Sequence, residues 1–144
     1  MKALKESGIN SENIIIKSGD LSPISGYNNM KEVLFEGRSI SAVFAANDQM
    51  AVGAIKAIKE AGLKIPENIS IIGFDNVFIA STIEPSLSTI NVPKYKMGIE
   101  AVEMLLRHIN DPEIEPEKTE LPINLIVRQS TDLRGDKNWD LFGW

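Results

Sequence analysis

Residues 42–75 read AVFAANDQMAVGAIKAIKEAGLKIPENISIIGFD, and this stretch decides the fold. A short apolar run, Ala42 to Ala46, precedes an amphipathic stretch, and a second apolar run, Ile69 to Phe74, follows it. Asn47 and Asp48 come directly before the amphipathic stretch, where short polar side chains cap helices, and a glycine follows its end. This order of strand, helix and strand is typical of a βαβ unit with parallel strands.

The same alternation continues on both sides of this stretch. Further apolar runs predict strands and further amphipathic stretches predict helices. The strands are Ile14 to Lys17, Leu87 to Val92 and Leu121 to Arg128, and the helices are Ser25 to Phe35 and Lys94 to Ile109. We therefore predict an α/β fold with a mostly parallel sheet that is flanked by helices.

Length and composition fit one globular domain that needs no disulfide bond or bound metal for its stability. The chain has 144 residues, of which 43% are hydrophobic and 24% charged, and it contains no cysteine. Thiol catalysis, cysteine zinc sites and iron–sulfur clusters are therefore excluded. The single histidine, His108, cannot form a histidine-rich metal site. We predict no enzymatic activity, no cofactor and no metal site.

Charge and hydropathy limit the partners of the chain. No apolar run approaches the roughly 20 residues that span a bilayer, and the first residues, MKALKESGIN, lack a secretory apolar stretch. The formal net charge is −5 and the isoelectric point is near 4.9, whereas affinity for nucleic acid comes from clustered Lys and Arg. We expect a cytoplasmic chain with no membrane partner and no direct contact with DNA.

Polar residues follow two of the predicted strands. Asn47 and Asp48 follow the first strand of the quoted stretch, and Asp75 follows the second. Ligands of open parallel sheets bind outside the carboxyl ends of the strands, so these side chains would share one crevice. Amide and carboxylate groups suit a polyhydroxylated or nitrogen-rich small molecule. The alternatives are helix capping for Asn47 and Asp48, a turn for Asp75, or an acid/base pair of Asp48 and Asp75 in an enzyme.

Three linked motifs resemble a known family. They are AANDQMAVGAIKAIKEAGLKIPENISIIGFDN at 45–76, EPSLSTINVPKYKMGIEAVEMLL at 84–106 and ELPINLIVRQST at 120–131. Together they resemble the effector-binding domain of the lactose/galactose-repressor (LacI/GalR) family, over about residues 19–131. The resemblance implies a bacterial transcription regulator with an N-terminal helix-turn-helix, a two-lobed effector domain like the periplasmic sugar-binding proteins, and a dimeric or tetrameric assembly.

The resemblance also implies ligand contacts. Asp75 is expected to hydrogen-bond the effector, with Asn47 and Asp48 beside it at the same strand ends. Leu21 stands where family members often hold an aromatic residue, so a contact suited to the apolar side of a sugar is missing. Lys94 could face an anionic group, or it could be a solvated lysine at a helix start. A sugar or sugar phosphate is the expected effector.

The family dimerises through this part of its fold. The corresponding segments carry apolar side chains that would meet across a two-fold axis, or that would instead fill the core of the domain. These side chains are Ile24, Tyr27, Val52, Ile55 and Ile83.

Compared with the family pattern, the chain corresponds to one lobe. Residues 1–92 match the C-terminal lobe, 93–118 match a crossover helix and loop that belong to an absent N-terminal lobe, and 119–144 match a returning strand and tail. Without the first lobe, the crossover helix would expose its apolar stripe, so we predict self-association or helix exchange, and weak effector binding. That stripe comprises Met97, Val102, Leu105, Leu106 and Ile109.

Two further expectations complete the sequence-based interpretation. The tail that contains Trp139 and Trp144 is apolar enough to pack on the domain or on a partner. A solute-binding protein of a sugar transporter is the alternative to a regulator, because it shares the fold.

Overall fold

Helices and strands alternate along residues 2–132, the part of the chain that the computed structural model describes. The predicted packing of the tryptophan-containing tail lies outside these residues. In chain order the elements are α1 Lys2–Glu6, a 3-10 turn Ser11–Asn13, α2 Pro23–Phe35, β1 Ala42–Phe44, α3 Asp48–Glu60, β2 Ser70–Asp75, α4 Ile79–Thr82, β3 Ser88–Asn91, α5 Lys94–Asn110 and β4 Asn124–Ile126.

The four strands form one sheet in the order β1-β2-β3-β4. β1 pairs with β2 and β2 pairs with β3 in parallel, whereas β4 runs antiparallel to β3. The predicted α/β fold with a mostly parallel sheet is confirmed. The last strand is shorter than the predicted range, Leu121 to Arg128, because only three of its residues join the ladder.

The prediction of a strand at Ile14 to Lys17 was wrong. Residues 14–20 lie outside the sheet, although β-branched residues favour strands. Ile15 packs against the core, but Ile16 is 73% exposed and Lys17 forms ion pairs with Glu32 and Glu36 of α2. A strand exists only where its backbone pairs with a neighbour, and strand propensity does not supply that neighbour.

The core lies between the sheet and the pair α2 and α3. Two glycines allow these helices to touch backbone to backbone. A Cβ atom on Gly26 would lie 2.1 Å from the Met50 carbonyl oxygen, and a Cβ atom on Gly53 would lie 1.8 Å from the Pro23 carbonyl oxygen. The buried apolar side chains around this contact include Met30, Val33, Ala51, Ala54, Ile55, Ile58 and Ile71.

Helix α5 is 17 residues long, yet no residue along it is buried. The predicted exposure of its apolar stripe is confirmed: Leu105 is 59% exposed, and the other members of the stripe are also exposed. Arg107 pairs with Glu117 of the following loop, at 2.7 Å between guanidinium nitrogen and carboxylate oxygen. None of the helices in residues 2–132 has the length and apolar character that crossing a bilayer needs.

Candidate functional site

Polar residues of neighbouring strands lie side by side at the edge of the sheet where its parallel strands end. β2 and β3 pair Asp75 with Asn91, and β3 and β4 pair Asn91 with Asn124. β1 ends at Phe44, opposite Ile72 of β2, and Asn47 follows three residues later as the N-cap of α3. The ends of β2 and β3, the first residue of β4 and the start of α3 therefore present amide and carboxylate groups at one edge, as expected for the ligand edge of an open parallel sheet.

Asn47 caps α3 and also holds the neighbouring loop. Its Oδ1 accepts a hydrogen bond from the Met50 amide at 2.8 Å, which confirms the predicted N-cap. Its Nδ2 donates to the Leu21 carbonyl oxygen at 3.0 Å. Asn47 remains half-buried, and each of its polar atoms can still form one further hydrogen bond.

Leu21 lies at the rim of this edge, with 57% of its surface exposed. Its φ angle is +67°, in the left-handed region that a leucine rarely adopts. The flanking Asp20 stabilises the bend, because its Oδ1 accepts a hydrogen bond from the Ser22 amide at 2.9 Å. The hydrogen bonds from the Ser22 side chain and amide lower the pKa of Asp20 to about 2. The leucine side chain is thus held at the rim by polar contacts on both sides.

Asp75 ends β2 with a backbone φ of +101°, and Asn76 follows at +52°. We call these two residues, with Val77, the β2 turn. Within residues 2–132, no hydrogen bond or ion pair occupies the Asp75 carboxylate, which is half-buried at the sheet edge. An ionised carboxylate in that position can accept hydrogen bonds from a bound molecule. Backbone strain of this kind concentrates at functional sites.

Lys94, the first residue of α5, contacts the same turn from the other side. Its ammonium group donates to the Asp75 carbonyl oxygen and, at 3.3 Å, to the Asn76 carbonyl oxygen. The structure therefore places this charge on backbone carbonyls beside the predicted ligand edge. The residue as a whole remains exposed.

Asp48 lies beneath the edge, with only 1% of its surface exposed. Its Oδ1 accepts a hydrogen bond from the Thr89 hydroxyl at 2.6 Å, and its Oδ2 accepts one from the Val77 amide at 2.8 Å. Burial raises the pKa of the Asp48 carboxyl, and the hydrogen bonds from Thr89 and Val77 oppose that rise. Both carboxylate oxygens accept hydrogen bonds from groups inside the fold, so Asp48 is not available to a ligand at the surface.

Sequence reasoning did not identify the buried partners Asn76 and Arg128. The Arg128 guanidinium donates to the Leu87 carbonyl oxygen at 2.8 Å and to Asn76 Oδ1 at 2.9 Å. Asn76 Nδ2 donates in turn to Asn91 Oδ1 at 3.1 Å. The sequence contained one signal for this contact, because Arg128 comes directly after the apolar run LIV. An arginine that is buried with such a run requires hydrogen-bond acceptors nearby.

The predicted interface residues divide into two groups. Ile24 is 71% exposed on α2, and Tyr27 and Val52 are half-buried on α2 and α3. Ile83 is half-buried and packs against the core, while Ile55 is buried inside it. A buried side chain offers no surface to a partner, so Ile55 packs α3 onto the core and does not contribute to an interface.

Tyr27 stands at the centre of a polar cluster on the outer face of α2 and α3. Its hydroxyl donates to Glu60 Oε2 at 2.5 Å, and the Lys31 and Lys56 ammonium nitrogens lie 5.3 and 5.9 Å from its ring centroid. This hydroxyl contact, with that of Lys56, lowers the pKa of Glu60. The face is therefore mixed, with exposed Ile24 beside a ring that carries charged neighbours.

A family model for the periplasmic binding protein-like domain matches residues 1–131. The chain belongs to that family. Among curated relatives of this periplasmic binding protein-like chain, the HTH-type transcriptional repressor PurR of Pectobacterium atrosepticum is 42% identical over 130 residues. That match covers 90% of the chain and 38% of the relative, so the chain spans about two-fifths of the length of that protein.

Solved structures of the LacI family share the fold. A LacI family transcriptional regulator from Enterococcus faecium with bound ribose is 36% identical, with a TM-score of 0.82, over 90% of this chain and 48% of that one. The lac repressor dimer bound to operator and the anti-inducer ONPF is 34% identical, with a TM-score of 0.82, over 90% of this chain and 44% of that one. The resemblance to the effector-binding domain of LacI/GalR regulators is confirmed.

Proposed function

We propose that the chain is the effector-sensing part of a LacI-family transcriptional regulator and that it binds a small sugar-like effector at the carboxyl edge of the sheet. One observation carries this proposal: the Asp75 carboxylate has no intramolecular partner in residues 2–132, and Asp75 pairs with Asn91 at the sheet edge where Asn47 begins α3. The identity to a PurR repressor and the ribose held by the Enterococcus faecium regulator support the choice of ligand class.

Each edge residue has a role in this proposal. The Asp75 carboxylate accepts hydrogen bonds from ligand hydroxyls, and Asn47 adds one donor and one acceptor. Leu21 supplies an apolar contact at the rim. Lys94 brings a positive charge within reach of an anionic substituent, which is the reason to include sugar phosphates. Asp48 is buried and occupied, so it contributes from beneath the site.

The chain supplies one wall of a cleft whose opposite wall lies in a second lobe. Exposure of the apolar stripe on α5 supports the assignment of residues 93–118 to that second lobe. Because affinity in such a cleft comes from both walls, this chain alone binds effector weakly. In the intact regulator, contact with DNA comes from an N-terminal helix-turn-helix outside this chain, and the regulator acts in the cytoplasm.

The regulator is a homodimer or a higher oligomer. The outer face of α2 and α3, with Ile24, Tyr27 and Val52, forms the interface, and Ile83 extends it. The charged neighbours of Tyr27 suit the polar rim of such an interface. The lac repressor dimer among the structural relatives supports this assembly.

Neither alternative function gains support from the site. An acid/base pair would need two carboxylates facing a substrate, whereas both Asp48 oxygens are bound inside the fold. The curated and structural relatives are repressors, which favours a regulator over the solute-binding protein of a transporter and over an enzyme.

The test is a titration of the isotopically labelled chain with D-ribose and with ribose 5-phosphate, followed by amide NMR shifts. We expect shifts at the β2 turn, at Asn47 and at Leu21, with dissociation constants in the millimolar range. Asp75→Ala should abolish them, whereas Glu67→Ala, which removes an exposed carboxylate from the loop before β2, should leave them unchanged. A micromolar constant would contradict the weak half-cleft, and equal binding by Asp75→Ala would contradict the site.

A further inference from the structure

The β2 turn is held in its unusual conformation by residues from several other elements. Asp75 and Asn76 both adopt positive φ angles, which residues other than glycine adopt in only a small share of cases. Such a turn persists only where its surroundings over-determine it. The contacts from beneath it identify which residues do so.

Asp48 is the residue that reaches the turn from α3. Its Oδ2 accepts the hydrogen bond of the Val77 amide at 2.8 Å, and its Oδ1 accepts that of the Thr89 hydroxyl at 2.6 Å. Gly73 leaves the space for this carboxylate, since a Cβ atom there would lie 2.2 Å from Asp48 Oδ1. Any side chain at position 73 would therefore displace Asp48 from the turn.

Thr89 connects Asp48 to the middle of the turn. Its hydroxyl oxygen accepts a hydrogen bond from the Asn76 amide at 3.3 Å while donating to Asp48. Thr89 is completely buried on β3, where it lies opposite Gly73 of β2. One carboxylate and one hydroxyl thus hold two consecutive backbone amides, those of Asn76 and Val77.

We propose that Asp48 and Thr89 are positioning residues, which set the β2 turn so that the Asp75 carboxylate is presented at the sheet edge. This inference rests on the proposed effector site. In this proposal Asp48 does not contact the effector, and the role of Thr89 depends on its hydroxyl group. Lys94 and Arg128 hold the carbonyl and side-chain groups of the same turn, whereas within residues 2–132 its Asn76 and Val77 amides are held by Thr89 and Asp48.

Conservative variants separate positioning from charge. An asparagine at position 48 can accept from Val77 through Oδ1 and donate to the Thr89 hydroxyl through Nδ2, so Asp48→Asn keeps the Val77 contact and retains the Thr89 contact with its direction reversed. Asp48→Ala loses both. In the same way, Thr89→Ser keeps the bridging hydroxyl, while Thr89→Val keeps the shape of the side chain and loses the bridge.

The experiment measures amide hydrogen exchange and ribose binding on the whole chain and on these four variants. We expect the Asn76 and Val77 amides to exchange about tenfold faster in Asp48→Ala and Thr89→Val, because each variant removes one amide hydrogen bond of the turn and the Asp48–Thr89 hydrogen bond that supports the other. Asp48→Asn and Thr89→Ser should stay within about threefold of the unaltered chain. Affinity for D-ribose should change in the same order. The amide of Ile58, a completely buried core residue near the end of α3, monitors global stability.

Two results would overturn the positioning role. One is unchanged exchange at Asn76 and Val77 in Asp48→Ala and Thr89→Val. The other is an equal rise at Ile58, which would show general loosening of the fold. Should Asp48→Ala fail to fold, the Thr89→Val and Thr89→Ser pair decides alone. If the unaltered chain does not bind D-ribose or ribose 5-phosphate, the effector site is refuted by that arm, while the exchange data still decide whether Asp48 and Thr89 hold the turn.

Discussion

Replacing Gly53 with alanine tests the close contact that joins α2 to α3 and, through it, the rim of the candidate site. The added Cβ atom would lie 1.8 Å from the Pro23 carbonyl oxygen and 2.8 Å from the Tyr27 amide nitrogen. Cβ atoms essentially never lie closer than 3.0 Å to such an atom, so the two backbones must separate by roughly 1.2 Å. Because both contacts are to backbone, no side-chain rotation can relieve them.

The magnitude follows from two opposing effects. Overpacking a well-packed interior costs about 1–3 kcal/mol, and a rigid backbone clash belongs at the upper end. Alanine is favoured over glycine inside a helix by about 1 kcal/mol. We therefore expect Gly53→Ala to lower the free energy of unfolding by about 2 kcal/mol, which corresponds to a fall in Tm of about 8 °C for a domain of this size.

Urea denaturation followed by far-UV circular dichroism measures this change. The matched control is Gly98→Ala on α5, where a Cβ atom meets nothing within 4 Å. The same chemical change there should leave the urea midpoint unchanged or raise it slightly. Separation of the helices should also loosen the Asn47 to Leu21 hydrogen bond and shift both amide signals. If Gly53→Ala were as stable as the unaltered chain, the close packing of α2 and α3 would be refuted.

The remaining predictions concern assembly and acid sensitivity. Sedimentation at micromolar concentration should show that the chain self-associates. Leu105→Glu in the α5 stripe and Ile24→Glu on the outer face of α2 should each weaken this association about tenfold or more, because a charge placed in an apolar interface is costly. A monomeric chain in which α5 is protected from hydrogen exchange would contradict self-association through the α5 stripe. The pKa of Asp20 is lowered to about 2, so the stabilisation that its carboxylate gives the Leu21 bend is complete above pH 4 and is lost as pH falls towards 2. The protection factor of the Ser22 amide, which corrects for the intrinsic pH dependence of exchange, should fall over that window. An Asp20→Asn variant that kept the same pH dependence would show another group to be responsible.

Elements with several agreeing local signals could be predicted from the sequence. α3 has a capping residue, an apolar stripe and a glycine beyond its end, and its observed range, Asp48–Glu60, fits all three. The strand at Ile14 to Lys17 had apolar composition alone, and it was wrong. Composition cannot show whether a neighbouring backbone is available for pairing.

The candidate site was predictable where it depends on chain order. Asp75 and Asn47 each follow a strand, and parallel strands bring their carboxyl ends to one edge, so both could be assigned to that edge before any coordinates. The buried contacts below the edge depend on register, on which residue of β3 lies opposite Gly73, and on the return of Arg128 from the far end of the chain. No local pattern contains that information.

The sequence by itself determined the order of helices and strands, the family and the edge at which polar residues gather, because caps, apolar periodicity and strand ends are local properties of the chain. Only the tertiary structure decided that Asn47 remains at the surface while the adjacent Asp48 is buried, and that Thr89 joins Asp48 to the β2 turn. Successive residues at a helix start point in different directions, and their surroundings depend on how α3 packs against β2 and β3. The hydrogen bonds that Asp48 accepts there come from residues 29 and 41 positions away, Val77 and Thr89, so no local pattern of the sequence contains them.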